Sequence, residues 1–336
     1  MSSNPALVHL NAIRNQLTSV NVDSNSALTT LYLGGNQLSS LDVTNNTALT
    51  SMNIWGNNID SLDVTNNSAL TFLNIQDNII SSVDLSANTA LVTFYCHNNE
   101  LTNLNVSNNT ALTRLWCYSN ALDSLDVTAN TALTELRCGG NQLTELDVSN
   151  NTALDYLAFT GNQLTSLDVS SNIVLSQLYC YNNQLTSLDV SNNAALEILK
   201  CYGNQLTELD VSNNAALEIL YCYGNQLTEL DVSNNTALDY LSCRDNQLTS
   251  LDVSSNIVLS KLYCYNNQLT YLNMKNGITD QLTNFNATSN PNLTCIETLD
   301  PDYATTNWTY ENGNIDEGVS FAIQCVISNL HVVTTG

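Results

Sequence analysis

LKCYGNQLTELDVSNNAALEI, residues 199–219, is the stretch from which nearly the whole chain is built, because the next 21 residues repeat it with only four changes. Those changes are Lys200 to Tyr221, Ala215 to Thr236, Glu218 to Asp239 and Ile219 to Tyr240. Self-similarity at a fixed period marks a solenoid, in which each turn buries its apolar face against its neighbours. Counting outward from this stretch gives thirteen turns, starting at Leu10, Leu31, Met52, Leu73, Phe94, Leu115, Leu136, Leu157, Leu178, Leu199, Leu220, Leu241 and Leu262. The period predicts a solenoid over residues 1–275, an irregular last repeat and C-terminal cap over 276–325, and a tail or linker over 326–336. Asn4-Pro5-Ala6-Leu7 is in phase with Asn25-Ser26-Ala27-Leu28, so the sequence opens inside a repeat. An N-terminal cap, with any signal peptide, is expected upstream.

Within a turn, Leu49-x-x-Met52-x-Ile54-x-x-Asn57-x-Ile59 follows the pattern L-x-x-L-x-L-x-x-N-x-L. Period-2 alternation points residues 52 and 54 inward and 51, 53 and 55 outward, as in a strand. A second segment, Leu41-Asp42-Val43, alternates in the same way and predicts a second short extended piece per turn, with few or no helices. With these residues the sequence resembles bacterial secreted or surface leucine-rich-repeat proteins, distantly internalin-like, over about residues 4–275. That resemblance implies a β-rich solenoid with a parallel sheet on its concave side, an extracellular or cell-surface location, and a role in protein contacts.

Composition limits function. The chain carries 31 acidic and seven basic residues, a formal net charge of −24, which argues against nucleic acid, whose phosphates are met by Lys and Arg. No run of about 18 apolar residues exists, so no membrane span is expected. Catalysis is not expected either. The three histidines, His9, His97 and His331, are far apart in the repeat order, and neither a G-x-S-x-G elbow nor a phosphate loop is present.

Four columns recur. The asparagines from Asn15 to Asn267 occupy every turn and read as a structural ladder bonding the backbone. Eight of the ten cysteines, from Cys96 to Cys264, share one inward column with Leu33, Ile54, Ile75 and Phe159. Interchange with plain hydrophobes favours buried apolar thiols, with ladder disulfides or a metal string as the alternatives. Cys295 and Cys325 lie off the period and flank the cap, and read as a disulfide. The aspartates from Asp42 to Asp252 would repel one another at ladder spacing. Hydrogen bonds from nearby Ser and Thr would offset this, or bound Ca2+, the one cofactor the sequence leaves open.

The fourth column set carries the functional reading. Twelve of the fifteen tyrosines and six of the seven basic residues fall at outward positions on or beside the first strand. The candidate ligand-binding residues are Trp116, Tyr118, Arg137, Tyr156, Tyr179, Tyr181, Lys200, Tyr202, Tyr221, Tyr223, Tyr240, Arg244, Lys261, Tyr263 and Tyr265. Tyr and Arg dominate binding hot spots, although cross-strand stacking alone could also place them there. Residues 136–187 and 220–271 are copies differing at eight positions, and six of these lie on or beside the strand: Arg137/Tyr221, Gly139/Tyr223, Ala158/Ser242, Thr160/Arg244, Gly161/Asp245 and Gln177/Lys261. Exposed Ser, Thr and Asp positions elsewhere hardly drift. The expected function is a noncatalytic extracellular recognition module binding a protein or a polysaccharide. A spacer within a larger adhesin and an ice-binding solenoid are the alternatives.

Overall fold

The computed structural model describes residues 4–325; the tail expected over 326–336, and His331 with it, lies outside them. Two compact units divide between Asn193 and Ala194. In the first, three-residue strands recur every 21 positions from His9–Asn11 through Arg114–Trp116 to Gln177–Tyr179. Neighbours pair in parallel, each residue opposite the one 21 further on, as Leu115 faces Leu136. In the second, Ile198–Lys200, Ile219–Tyr221, Tyr240–Ser242, Lys261–Tyr263 and Asn284–Asn286 form the corresponding ladder. The irregular repeat therefore adds a turn, with a longer step from Lys261 to Asn284.

The period is enforced by what each turn must bury. Leu133, Leu136, Cys138, Leu143, Leu146 and Val148 of one turn are all buried, and a fully buried Leu contributes about 1.5–3 kcal/mol. No helix supplies backbone bonds here, so asparagine side chains supply them. Asn141 Nδ2 donates to the carbonyls of Cys117 and Cys138 at 3.1 and 3.0 Å, while its Oδ1 accepts the Leu122 N–H at 3.1 Å. A second asparagine column is completely buried: Asn151 Nδ2 donates to Val127 and Asn130 carbonyls at 3.0 and 2.8 Å. The strand exits through a left-handed corner in every turn, with φ of 59° at Gly140, 62° at Gly161 and 54° at Asp245. Gly, Asn and Asp dominate that column because they tolerate positive φ best.

The aspartate column closes turns. Asp126 Oδ1 accepts from Thr128 N at 2.9 Å and Thr128 Oγ1 at 2.6 Å. These bonds hold its carboxyl below the usual range, as at Asp42, Asp63, Asp84, Asp147, Asp168 and Asp210. Neighbouring aspartates push Asp63 and Asp147 the other way, by less. Among the described residues no cluster of three metal-ligating side chains forms. The ladder cysteines are buried free thiols, and burial pushes Cys138, Cys201 and Cys243 up to about 12.

The second extended segment alternates in each turn as expected, and among the described residues it pairs into strands in the second unit, where Ser250–Asp252, Tyr271–Asn273, Cys295–Glu297 and Ser320–Ala322 are parallel. There Asn273 Nδ2 donates to Asp252 Oδ2 at 3.0 Å, and Lys275 and Tyr271 both bond Glu297. One helix, Pro301–Asn307, is capped by Asp300, whose side chain accepts the Tyr303 N–H at 3.0 Å. Trp308 behind it packs on Phe285 at 4.7 Å and covers the last turn. Sγ of Cys295 and Cys325 are bonded, with Cα atoms 5.9 Å apart. No helix among the described residues is long and apolar enough to cross a membrane.

Candidate recognition surface

The outward side chains of the main strands sit at 21-residue intervals on a parallel ladder, so each lies beside its counterpart in the next turn. In the first unit this builds a row of planar groups. Tyr95 stacks on Trp116 with centroids 4.3 Å apart; the Arg137 guanidinium lies 4.4 Å from Trp116 and 4.2 Å from Tyr156; and Tyr156 stacks on Tyr179 at 5.0 Å. Glu135 holds Arg137 in place, accepting its Nε–H at 2.6 Å, and lies 3.6 Å from Arg114. A parallel row at the strand exit stacks His97 on Tyr118 at 4.2 Å.

That exit row is interrupted. Beyond Tyr118 the next two positions are Gly139 and Thr160, and only then does Tyr181 restore a ring. The result is a cleft of about 420 Å³ lined by Tyr118, Arg137, Gly139, Tyr156, Ala158, Thr160, Tyr179 and Tyr181, with corner residues Ser119, Gly140, Gly161 and Asn182. Its lining contains one cation and no carboxylate. Burial raises Tyr156 to about 12 and lifts Tyr118 and Tyr179 as well, so these phenols stay neutral. Burial also lowers His97, which favours a neutral imidazole at physiological pH.

In the second unit the same columns are filled. Tyr202 and Tyr223 stack at 4.3 Å with their planes 9° apart, and Arg244 caps Tyr223 at 3.8 Å and lies 5.4 Å from Tyr265. Asp245 pairs with Arg244. On the other row Lys200 lies 4.8 Å over Tyr221, Tyr221 meets Tyr240 at 4.7 Å, Lys261 lies 5.2 Å over Tyr240, and Tyr240 meets Tyr263 at 5.7 Å. Every expected site residue thus falls on the outward strand face, within two groups. Tyr118, Arg137, Tyr156, Tyr179 and Tyr181 line the cleft, and Trp116 lies behind Arg137; Lys200, Tyr202, Tyr221, Tyr223, Tyr240, Arg244, Lys261, Tyr263 and Tyr265 form a close-packed aromatic and cationic surface.

What a search for Tyr and Arg misses is the floor: Gly139, Ala158 and Thr160. The signal for two of them is present in the paired copies, where Gly139 and Thr160 match Tyr223 and Arg244, while Ala158 matches the equally small Ser242. Stacking between the rings accounts for part of the aromatic pattern, since such pairs add about 0.5–1.5 kcal/mol each. It does not account for the cleft, which forfeits two such layers.

No protein-family model matches the chain, and no curated protein matches it either. Solved structures do. The functional domain of InlJ from Listeria monocytogenes, described as including a cysteine ladder, is 34% identical with a TM-score of 0.81 over 90% of this chain. The chain spans 66% of that domain, just under two thirds. A Leptospira interrogans leucine-rich-repeat protein is 26% identical (TM-score 0.75, covering 88% of this chain and 79% of that one), and an internalin from Listeria monocytogenes is 25% identical (0.72, 79% and 84%). The chain is a leucine-rich-repeat solenoid of 21-residue turns whose structural neighbours are bacterial internalin-like proteins.

Proposed function

We propose that the chain is a noncatalytic, extracellular or cell-surface recognition module that binds a protein ligand on the outward face of its main strands. The observation that carries this reading is where the internal copies differ. Asparagine ladders and aspartate turns are retained between residues 136–187 and 220–271, the core changes only at Phe159/Cys243, and six of the eight differences fall on or beside this face. Scaffold kept constant under a varied surface is how repeat proteins present binding sites. The Cys295 to Cys325 bond fits an oxidising exterior, and the reading needs no cofactor.

The test is a selection of displayed peptides on the whole protein, with a glycan array run beside it. Peptides whose binding falls in a Trp116→Ala, Arg137→Ala variant support the reading. Glycans bound in their place, with the same dependence, replace the protein ligand by a polysaccharide. Silence of both, with the variant folded, leaves a spacer role as the better account.

A further inference from the structure

The cleft in the first unit is an interruption between the rings of Tyr118 and Tyr181, and the fold shows in two other places what fills such a position. At Gly34, which occupies the same column as Gly139, the indole of Trp55 from the next turn lies over the glycine. In the second unit, the position matching Gly139 carries Tyr223, stacked on Tyr202 at 4.3 Å. Over Gly139 the neighbour is Thr160 instead, whose Oγ1 would lie 2.6 Å from a Cβ built on the glycine. The backbone approaches closely, and the atoms nearest the glycine belong to Thr160 rather than to a ring. Tyr118, backed on its other side by His97, forms the wall a ring would stack on.

Charge narrows the occupant. In a chain of net charge −24 the cleft lining offers Arg137 and no acid. Glu135 takes the Arg137 Nε–H, and the guanidinium has further N–H donors for a carboxylate.

Resting on the reading of this face as a protein-binding surface, we propose that the cleft over Gly139 and Ala158 is a socket for one aromatic side chain of a partner protein, stacked on Tyr118, with an adjacent Asp or Glu of the partner meeting Arg137. The partner supplies in trans the ring that Trp55 and Tyr223 supply in cis.

The experiment titrates the acetylated, amidated dipeptide Asp-Tyr into the 15N-labelled whole protein and follows the amides of Gly139, Gly140 and Gly161. Saturable shifts at these amides in the millimolar range are expected, about tenfold weaker with cyclohexylalanine in place of Tyr, and weaker with Lys in place of Asp. A Gly139→Tyr, Thr160→Arg, Gly161→Asp variant installs side chains that the second copy already carries and should abolish the shifts; Tyr118→Ala serves if that variant fails to fold. No shift with Asp-Tyr, equal binding of the cyclohexyl analogue, or glucuronic acid shifting the same amides in its place each overturns the socket. A displayed peptide that needs Trp116 and Arg137, yet is not displaced by Asp-Tyr, overturns the socket alone and leaves the recognition surface intact.

Discussion

Gly139 and Thr160 approach so closely that a Cβ on the glycine would lie 2.6 Å from Thr160 Oγ1 and 2.9 Å from its carbonyl oxygen. The glycine is needed for space rather than for a left-handed backbone, unlike the corner glycines beside it. Gly139→Ala should therefore cost about 1–3 kcal/mol, the range for overpacking, because a backbone atom cannot rotate away. Chemical denaturation of the two proteins measures this; an unchanged midpoint would mean the two turns can separate freely.

Arg137 sits between Trp116 and Tyr156 with Glu135 fixing its Nε–H. The site is about a third exposed, so screening lowers its worth, and Arg137→Ala should cost about 1–2 kcal/mol from two cation–π contacts. Arg137→Lys should recover little, since an ammonium cannot stack as a plane or offer Glu135 the same donor. Equal stability of the Lys and Arg forms would show that charge alone matters there.

The pH dependence follows from the aspartate turns. Their carboxyls are held below the ordinary value by bonds from Ser or Thr two residues on. The unfolded chain, with pKa near 3.9, then takes up protons first. Stability from these groups is complete above about pH 4 and is lost as pH falls through the lowered folded values. Asn105 already makes the same turn without titrating, accepting Ser107 N at 3.0 Å. Replacing Asp63, Asp84, Asp126 and Asp147 together by Asn should flatten the fall of Tm in acid and relieve like-charge repulsion at neutral pH. A variant with the wild-type acid profile would contradict this.

Most of the scaffold is legible in the sequence alone, and the exceptions have a common cause. Leu136, Asn141 and Asp147 can be placed from the period because each contributes one side chain to one repeated environment. The cleft cannot, because it is made by side chains that are missing at Gly139 and Ala158 while attention goes to Tyr and Arg. Nor can the second sheet be confined to the second unit: Leu41-Asp42-Val43 and Leu251-Asp252-Val253 alternate identically. Pairing depends on neighbours such as Asn273 and Glu297, which local alternation does not encode.

Thiol chemistry should separate the two kinds of cysteine. Ladder thiols such as Cys138 and Cys201 are buried, with pKa about 12, and should resist alkylation until the chain unfolds. Reduction of Cys295 and Cys325, 30 residues apart, should cost the second unit about 3 kcal/mol and leave the first unchanged. Alkylation of ladder thiols in the native protein would contradict their assigned burial.

The most direct measurement concerns which face recognises the ligand. A displayed peptide selected on the whole protein is titrated against Trp116→Ala, Arg137→Ala and, on the opposite side of the turn, Asp168→Asn and Asp189→Asn. Affinity falling about tenfold or more in the first two and unchanged in the last two is the expected result. Loss confined to the aspartate variants would contradict a recognition surface on the main strands.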